Sequence, residues 1–377
     1  MGALDGIKVI DLTRILAGPF CTQLLADMGA DVVKAETPQG DPVRAQGVIE
    51  DGYSWYFAQF NRNKRSVVLD LYHDADKRRL MTLLADADVV VENYRPGVFA
   101  SMGFDAQTLE RLNPGLITAS VNGYGSSGPY VDRPSFDFIA QAMSGFMAMN
   151  GEPDGAPMRA AAPISDLLAG LYCALGVVSA LQARHRTGRG QQVESSLVNS
   201  LISIQAYLSA ECLATGRNPR RTGNDHPIVA PYGLFEAADG QIAVAPSNDT
   251  YVQRFLDALD LGALLELPEF ADNRARVANR KALNARIDAV TRTRPVEHWI
   301  QHINAAGCPC GRVMPLTEVF EDPQVQAQQM VIESRREGRA PIRMTGFPLK
   351  FSETPCELRR PPPELGEHDA EVLPQGE

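Results

Sequence analysis

The stretch that most constrains this chain runs from Leu167 to Ala183, which carries no charge and is apolar nearly all round. A helix of that composition has no face to offer to water and must be buried. It ends on Arg184, His185 and Arg186 and then Gly188, the cations and glycine of a helix C-terminus. It begins with Pro163, Ser165 and Asp166, so the carboxylate near this helix sits at its positive end. Unpaired backbone N–H groups and the helix field there favour the ionised form. Such a carboxylate is either a structural cap or a nucleophile, and the residue types alone point first to the cap.

Upstream, Ile7 to Leu12 (IKVIDL) reads as a buried strand, followed by a turn from Thr13 to Pro19 and a helical pattern stopping at Gly29. Asp31 to Glu36 is a second strand, so the chain opens as β-α-β and implies a parallel sheet in an α/β fold. The alternation continues through SVVLDL, a helix from Asp74 to Ala85, DVVVEN, a helix near Leu109 and LITASVN. Two turns, TRILAGP and Asn93-Tyr94-Arg95-Pro96-Gly97, fall at carboxyl ends of strands, where open α/β sheets bind ligands. The cluster Asn61-Arg62-Asn63-Lys64-Arg65 is either a phosphate cradle or a solvated turn. Gly123 to Gly128 fits GxGxxG, but Pro129 follows where a helix should open, so a flexible loop beside the site is expected rather than a dinucleotide fingerprint.

Phe136 to Gly145 reads as a short helix carrying Asp137 and Gln141. After the apolar helix come a strand and one long helix within QQVESSLVNSLISIQAYLSAECLATG. A hairpin-like FEAADGQIAVA and helices around Tyr251–Leu259, Arg280–Val290 and Val296–Ala306 imply a smaller α+β domain from about Asp225 to about Pro315. His298 and His302 share a helix face, but the Glu of HExxH is missing, so surface histidines and no metal are expected. The tail holds strand candidates in PIRMTGFPLKF, an extended Arg359 to Pro363 that wraps another part of the molecule or a partner, and a last short helix in LGEHDAEVL.

A length of 377 residues suits two domains or one large elaborated one. A formal net charge of −10 argues against nucleic acid or an anionic membrane as the main partner. The apolar helix falls just short of a membrane span, and no basic leader precedes the first strand. The cysteines (Cys21, Cys173, Cys212, Cys308, Cys310 and Cys356) form no CxxC pair and read as free thiols in a reducing cytoplasm.

With these residues in view, the sequence resembles the family III CoA-transferases, the group typified by formyl-CoA:oxalate and carnitine CoA-transferases. The resemblance is carried from end to end by LDGIKVIDLTRILAGPFCTQLLADMGADVVKAE, FNRNKRSVVLDL, DVVVENYRPGVFASMGF, NGYGSSGPYVDRPSFDFIAQAMSG, ISDLLAGLYCALGVVSALQARHRTGRGQ, GNDHPIVAPYG, GCPCGRV and PPPELGEHDAEVL. It implies a Rossmann-like large domain built from both chain ends (residues 1–215 and 316–377), a linker at 216–230, a small inserted α+β domain at 225–315, and an interlocked homodimer. It implies that Asp166 is the nucleophile and the cap at once, with Asp137 as an assisting carboxylate. The CoA site it implies takes Leu16, Ala17, Leu69, Asn93, Tyr94, Arg95 and the Arg133 to Phe136 stretch.

Two departures bear on the CoA phosphates: Thr37 and Ser101 stand where the family pattern has basic residues. Arg44, Lys64, Arg65 and Arg95 are the substitutes expected. The donor implied is succinyl-CoA or similar, and the acceptor a carboxylic, expected dicarboxylic, acid. The same fold serves α-methylacyl-CoA racemases, but Phe136 stands where those enzymes carry a catalytic histidine. A CoA-binding module with Asp166 only as a cap is the non-enzymatic alternative.

Overall fold

A computed structural model describes residues 1–373; positions 374–377, the end of the expected return segment, lie outside the described residues. The chain forms two compact units. One comprises Met1–Phe146, Arg159–Ala210 and the chain from Asp322 onward; the other comprises Met147–Met158 and Glu211–Glu321.

The first unit is organised by six strands: β1 (Lys8–Asp11), β2 (Asp31–Glu36), β3 (Lys64–Val68), β4 (Val89–Glu92), β5 (Ile117–Asn122) and β6 (Gln192–Ser196). They pair in the order β3-β2-β1-β4-β5-β6, with every pairing parallel. This is the doubly wound arrangement, whose strand order reverses between β1 and β4 and leaves a crevice at their carboxyl ends. Successive side chains alternate between the faces. Val9, Val32, Val89 and Val91 pack under the Ala17–Asp27 and Ile164–Thr187 helices, whereas Ile10, Val33 and Val90 pack against Leu80, Leu84 and Leu109. Burial on both faces explains the near-continuous apolar strands.

The Ile164–Thr187 helix has the length and apolarity of a membrane span, longer than the sequence suggested. It is not buried all round. Ala169, Cys173, Val177 and Leu181 face the core, while Leu171, Tyr172 and Leu175 are exposed. At Gly170 a Cβ would lie 2.4 Å from the Ala17 carbonyl oxygen. The glycine therefore lets the two helices touch backbone to backbone. Asp166 lies one turn before Gly170 on the same helix face, which directs it toward the start of the Ala17–Asp27 helix.

Two local expectations change, and a third takes one of its two alternatives. The long helix after β6 is two, Leu197–Ser203 and Ala206–Thr215, interrupted where Ala206 takes φ 50. Lys64 belongs to strand β3 rather than to a turn before it. The Pro361–Pro363 segment lies against its own chain, with the Tyr53 hydroxyl donating to the Pro362 carbonyl at 2.6 Å. The Asp369–Val372 helix follows, and Asp369 accepts from the Val68 N–H at 2.8 Å, so this segment covers the β3 edge.

In the second unit an antiparallel sheet pairs Gln241–Val244 with Gly233–Glu236 and Cys310–Arg312. Its core gathers Phe235, Phe255, Phe270 and Trp299. His298 and His302 are exposed with their rings stacked, and no metal-binding group occurs among the described residues.

Candidate active site

The turn after β1 is held from three sides. The wholly buried Asp11 accepts from the Thr13 N–H at 2.9 Å, the Thr22 hydroxyl at 2.7 Å and the Lys64 ammonium at 2.9 Å. Lys34, also wholly buried, donates to the Thr13 carbonyl at 2.7 Å and pairs with Asp41 at 3.0 Å. Asp41 in turn accepts the Ile15 N–H at 3.1 Å. The Asn93 side chain clasps Arg14 through both its N–H and its carbonyl, at 3.0 and 2.8 Å. These bonds hold Ile15 at φ 72, a left-handed conformation that costs a β-branched residue about 1–3 kcal/mol. Strain of this kind persists only where its surroundings over-determine it.

Below this turn every cation is matched. Burial opposes ionisation of Asp11, but Lys64, Lys34 and the Thr13 and Thr22 hydroxyls overcome it and hold the carboxyl down at about 2. Burial brings Lys64 down to about 8 despite Asp11. Arg44 pairs with Glu36 at 2.7 Å and lies over the Phe57 ring, Arg62 pairs with Asp27 at 2.7 Å, and Arg65 pairs with Asp31 at 2.6 Å. The basic cluster is thus neither a phosphate cradle nor a solvated turn. Carboxylates from neighbouring strands and the Ala17–Asp27 helix occupy it, and Arg44, Lys64 and Arg65 line neither of the cavities above.

Those cavities flank the strand-order reversal. One, of about 330 Å³, is lined by Leu16, Ala17, Asn93, Tyr94, Arg95, Arg133, Phe136 and Asp166, along with Arg14, Ile15 and the Gly123–Gly125 loop. The second, of about 610 Å³, takes in Leu69, Thr37 and Tyr94. Arg14, Pro42 and Tyr94 border both. The residues singled out from sequence are therefore brought together, except that Leu69 lies only in the larger cavity and Asp137 lines neither. Arg14 and Ile15 were missed individually, although the turn that carries them was marked by its place after the first strand.

Asp137 sits behind the site at the start of its own Asp137–Met143 helix. It accepts the Ser165 N–H at 2.9 Å and hydroxyl at 2.8 Å, and Gln141 donates to it at 2.7 Å. Asp137 therefore satisfies an orphan donor at the start of the long helix, and Asp166 makes no capping bond. The cap role expected of Asp166 belongs to Asp137. Burial, and then the charge of Asp137, push the Asp166 carboxyl up to about 7. Loss of water outweighs the helix field that was expected to keep it ionised. Near neutrality Asp166 is thus divided between its carboxylic acid and carboxylate forms. Tyr56 is pushed up to about 12 by burial and by the charges of Asp166 and Asp41, so its phenol keeps its proton.

The arrangement offers one carboxyl in a cleft walled by Arg14, Arg95 and Arg133, beside the backbone N–H groups of a helix start and a glycine loop. That is equipment for a covalent acyl intermediate with anionic groups nearby.

A family model described as CoA-transferase family III matches residues 4–369. The chain is 38% identical to a succinate–glutarate CoA-transferase of Agrobacterium fabrum, covering 98% of this chain and 94% of that one. It is 37% identical to a succinyl-CoA:mesaconate CoA-transferase of Haloarcula hispanica, covering 99% and 96%. Among solved structures, a CaiB/BaiF family protein from Brucella suis superposes with a TM-score of 0.88 at 36% identity, covering 98% of each chain.

Proposed function

The chain belongs to CoA-transferase family III, and from that membership we propose that it moves CoA from succinyl-CoA or a similar thioester to a dicarboxylic acid, with Asp166 as the nucleophile. The observation that carries the reading is Asp166 itself, a carboxyl with no ion pair or capping bond among the described residues, raised in pKa and facing a cleft walled by arginines.

The Asp166 carboxylate attacks the thioester carbonyl, and the C–S bond breaks to give a mixed anhydride and CoA thiolate. The thiolate attacks the aspartyl carbonyl, expelling the donor acid and leaving an aspartyl-CoA thioester. An acceptor carboxylate attacks that thioester and releases the thiolate again. The thiolate then takes the acceptor acyl group, and the Asp166 carboxylate is restored. Splitting the exchange through a covalent intermediate lowers each barrier. Each tetrahedral oxyanion meets N–H donors at the Ala17 helix start, the Gly125 N–H of the neighbouring loop being held by Asn122. Asp137 acts as a positioning residue, fixing the helix that presents Asp166. Leu16, Ala17 and Phe136 shape the acyl end, and the Arg95 and Arg133 guanidiniums suit a substrate's second carboxylate by paired hydrogen bonds.

The exposed Leu171, Tyr172 and Leu175, with Phe138, Ile139 and Met143, form apolar surface that a second copy covers, in keeping with an interlocked homodimer. Leu171→Glu is expected to lower the mass measured by light scattering to that of a monomer; an unchanged dimer would remove this helix from the interface. The cytoplasm is the compartment proposed, where the free thiols stay reduced.

Isotope exchange tests the reaction. Labelled succinate should enter succinyl-CoA without any acceptor, and Asp166→Ala should lower the exchange rate about a thousandfold or more. Exchange that survives in that variant would assign the nucleophile elsewhere.

A further inference from the structure

Glu92, Ser120 and Glu194 stand opposite one another in one row across β4, β5 and β6, near the carboxyl ends of those strands. Both carboxylates line a third cavity, of about 340 Å³, and neither lines the two described above. Each nevertheless holds a turn that walls the Asp166 cavity. Glu92 accepts the Tyr94 N–H at 2.7 Å, a local bond within the turn that follows its own strand. Glu194 reaches across to the next strand. It accepts the Asn122 side-chain amide at 3.2 Å, and the Asn122 amide oxygen accepts the Gly125 N–H at 2.6 Å.

A backbone N–H only donates and a carboxylate only accepts, so this relay closes in one orientation of the Asn122 amide. Asn122 is 9% exposed, and an amide that lost its carboxylate acceptor would find little water in its place. Gly125 takes φ 97, and a Cβ on it would lie 3.5 Å from a Glu194 carboxylate oxygen, so the loop folds back onto the same side chain. The loop in turn seats the wall beside Asp166. The Gly123 carbonyl accepts the Val198 N–H at 3.2 Å, and a Cβ at Gly123 would lie 2.5 Å from that of Ser135. Ser135 and Phe136 line the Asp166 cavity together with Gly123 and Gly125. We propose that Glu194, which lies outside that cavity, is a positioning residue: through Asn122 it sets the glycine loop, and through the loop the wall against which the acyl group is transferred. This rests on the CoA-transferase reading above.

Isotopic exchange of succinate into succinyl-CoA, measured for Asn122→Asp, Glu194→Gln and the two combined, tests it. Asn122→Asp sets two carboxylates against each other and should lower kcat for exchange about tenfold or more. Adding Glu194→Gln supplies an amide donor to the introduced carboxylate, which still accepts the Gly125 N–H, and should restore kcat to within about threefold of wild type. KM for succinyl-CoA and the calorimetric affinity for CoA, which lacks the acyl group, should stay within about twofold throughout. Glu194 is exposed, so Glu194→Ala should melt with wild type while losing about as much kcat as Asn122→Asp. That variant carries the test if Asn122→Asp does not fold. A combined variant no better than Asn122→Asp, an unchanged kcat in Glu194→Ala, or a kcat loss matched by a fall in CoA affinity or melting temperature would each overturn the proposal. A wild type without exchange would instead overturn the transferase reading itself.

Discussion

The floor and the wall of this site use the same residue types to opposite ends. In the floor, Asp11, Lys64, Lys34 and Asp41 are stripped of water and matched by opposite charge. In the wall, Arg14, Arg95, Arg133 and Asp166 face open cavity with no ion pair among the described residues. A paired buried charge costs desolvation and returns geometry, here the geometry of the turn from Thr13 to Leu16. An unpaired charge in a concave wall is held ready for a ligand. Charge type does not separate the two; the presence or absence of a counter-ion does.

The largest effect that could break this contrast comes from the floor. Lys64→Met leaves Asp11 buried and uncompensated, and should cost about 3–5 kcal/mol in urea unfolding. Arg95→Gln, a wall residue, should stay within about 0.5 kcal/mol of wild type while raising KM. Equal costs would erase the distinction. Gly170→Ala comes next, because its Cβ would lie 2.4 Å from the Ala17 carbonyl and must push the helices apart. A loss of about 1–3 kcal/mol is expected, together with a fall in kcat as Asp166 moves off its target.

The smallest effect separates the two aspartates by the sign of their pH dependence. Asp11 is depressed to about 2, so its contribution to stability is present above its ordinary value near 4 and disappears as pH falls through 2. Asp166 is raised to about 7, so its contribution is complete below about 4 and disappears as pH rises through 7. Asp166→Asn should accordingly stabilise the protein by about 1–2 kcal/mol at pH 8, after allowing for solvent screening, and not at pH 4. Melting curves at both pH values check this. In wild type, kcat/KM should fall below about pH 7 as the Asp166 carboxylate takes up a proton.

Much of the frame was legible. Apolar strands alternating with helices announced the parallel sheet, and the uncharged run after Asp166 marked the helix that presents it. What escaped the sequence depended on partners remote in the chain. Asp137 caps a helix whose Ser165 lies 28 positions away, so no local pattern moved the cap from Asp166 to it. The basic cluster looked available because its counter-ions, Asp11, Asp27 and Asp31, come from earlier elements that meet it only through sheet pairing and packing. The left-handed Ile15 contradicts its own residue preference, and bonds from remote residues, Asp41 to its N–H and Asn93 to the neighbouring Arg14, account for it. The long helix read as buried all round because its exposed Leu171, Tyr172 and Leu175 are as apolar as its buried face.

The most direct test of the wall as the seat of chemistry is intact-protein mass spectrometry after incubation with succinyl-CoA and quenching with hydroxylamine. A hydroxamate mapping to Asp166 in wild type, and absent from Asp166→Ala, is the predicted result. A modification that maps elsewhere, or persists in Asp166→Ala, would contradict the assignment of the unpaired aspartate as the nucleophile.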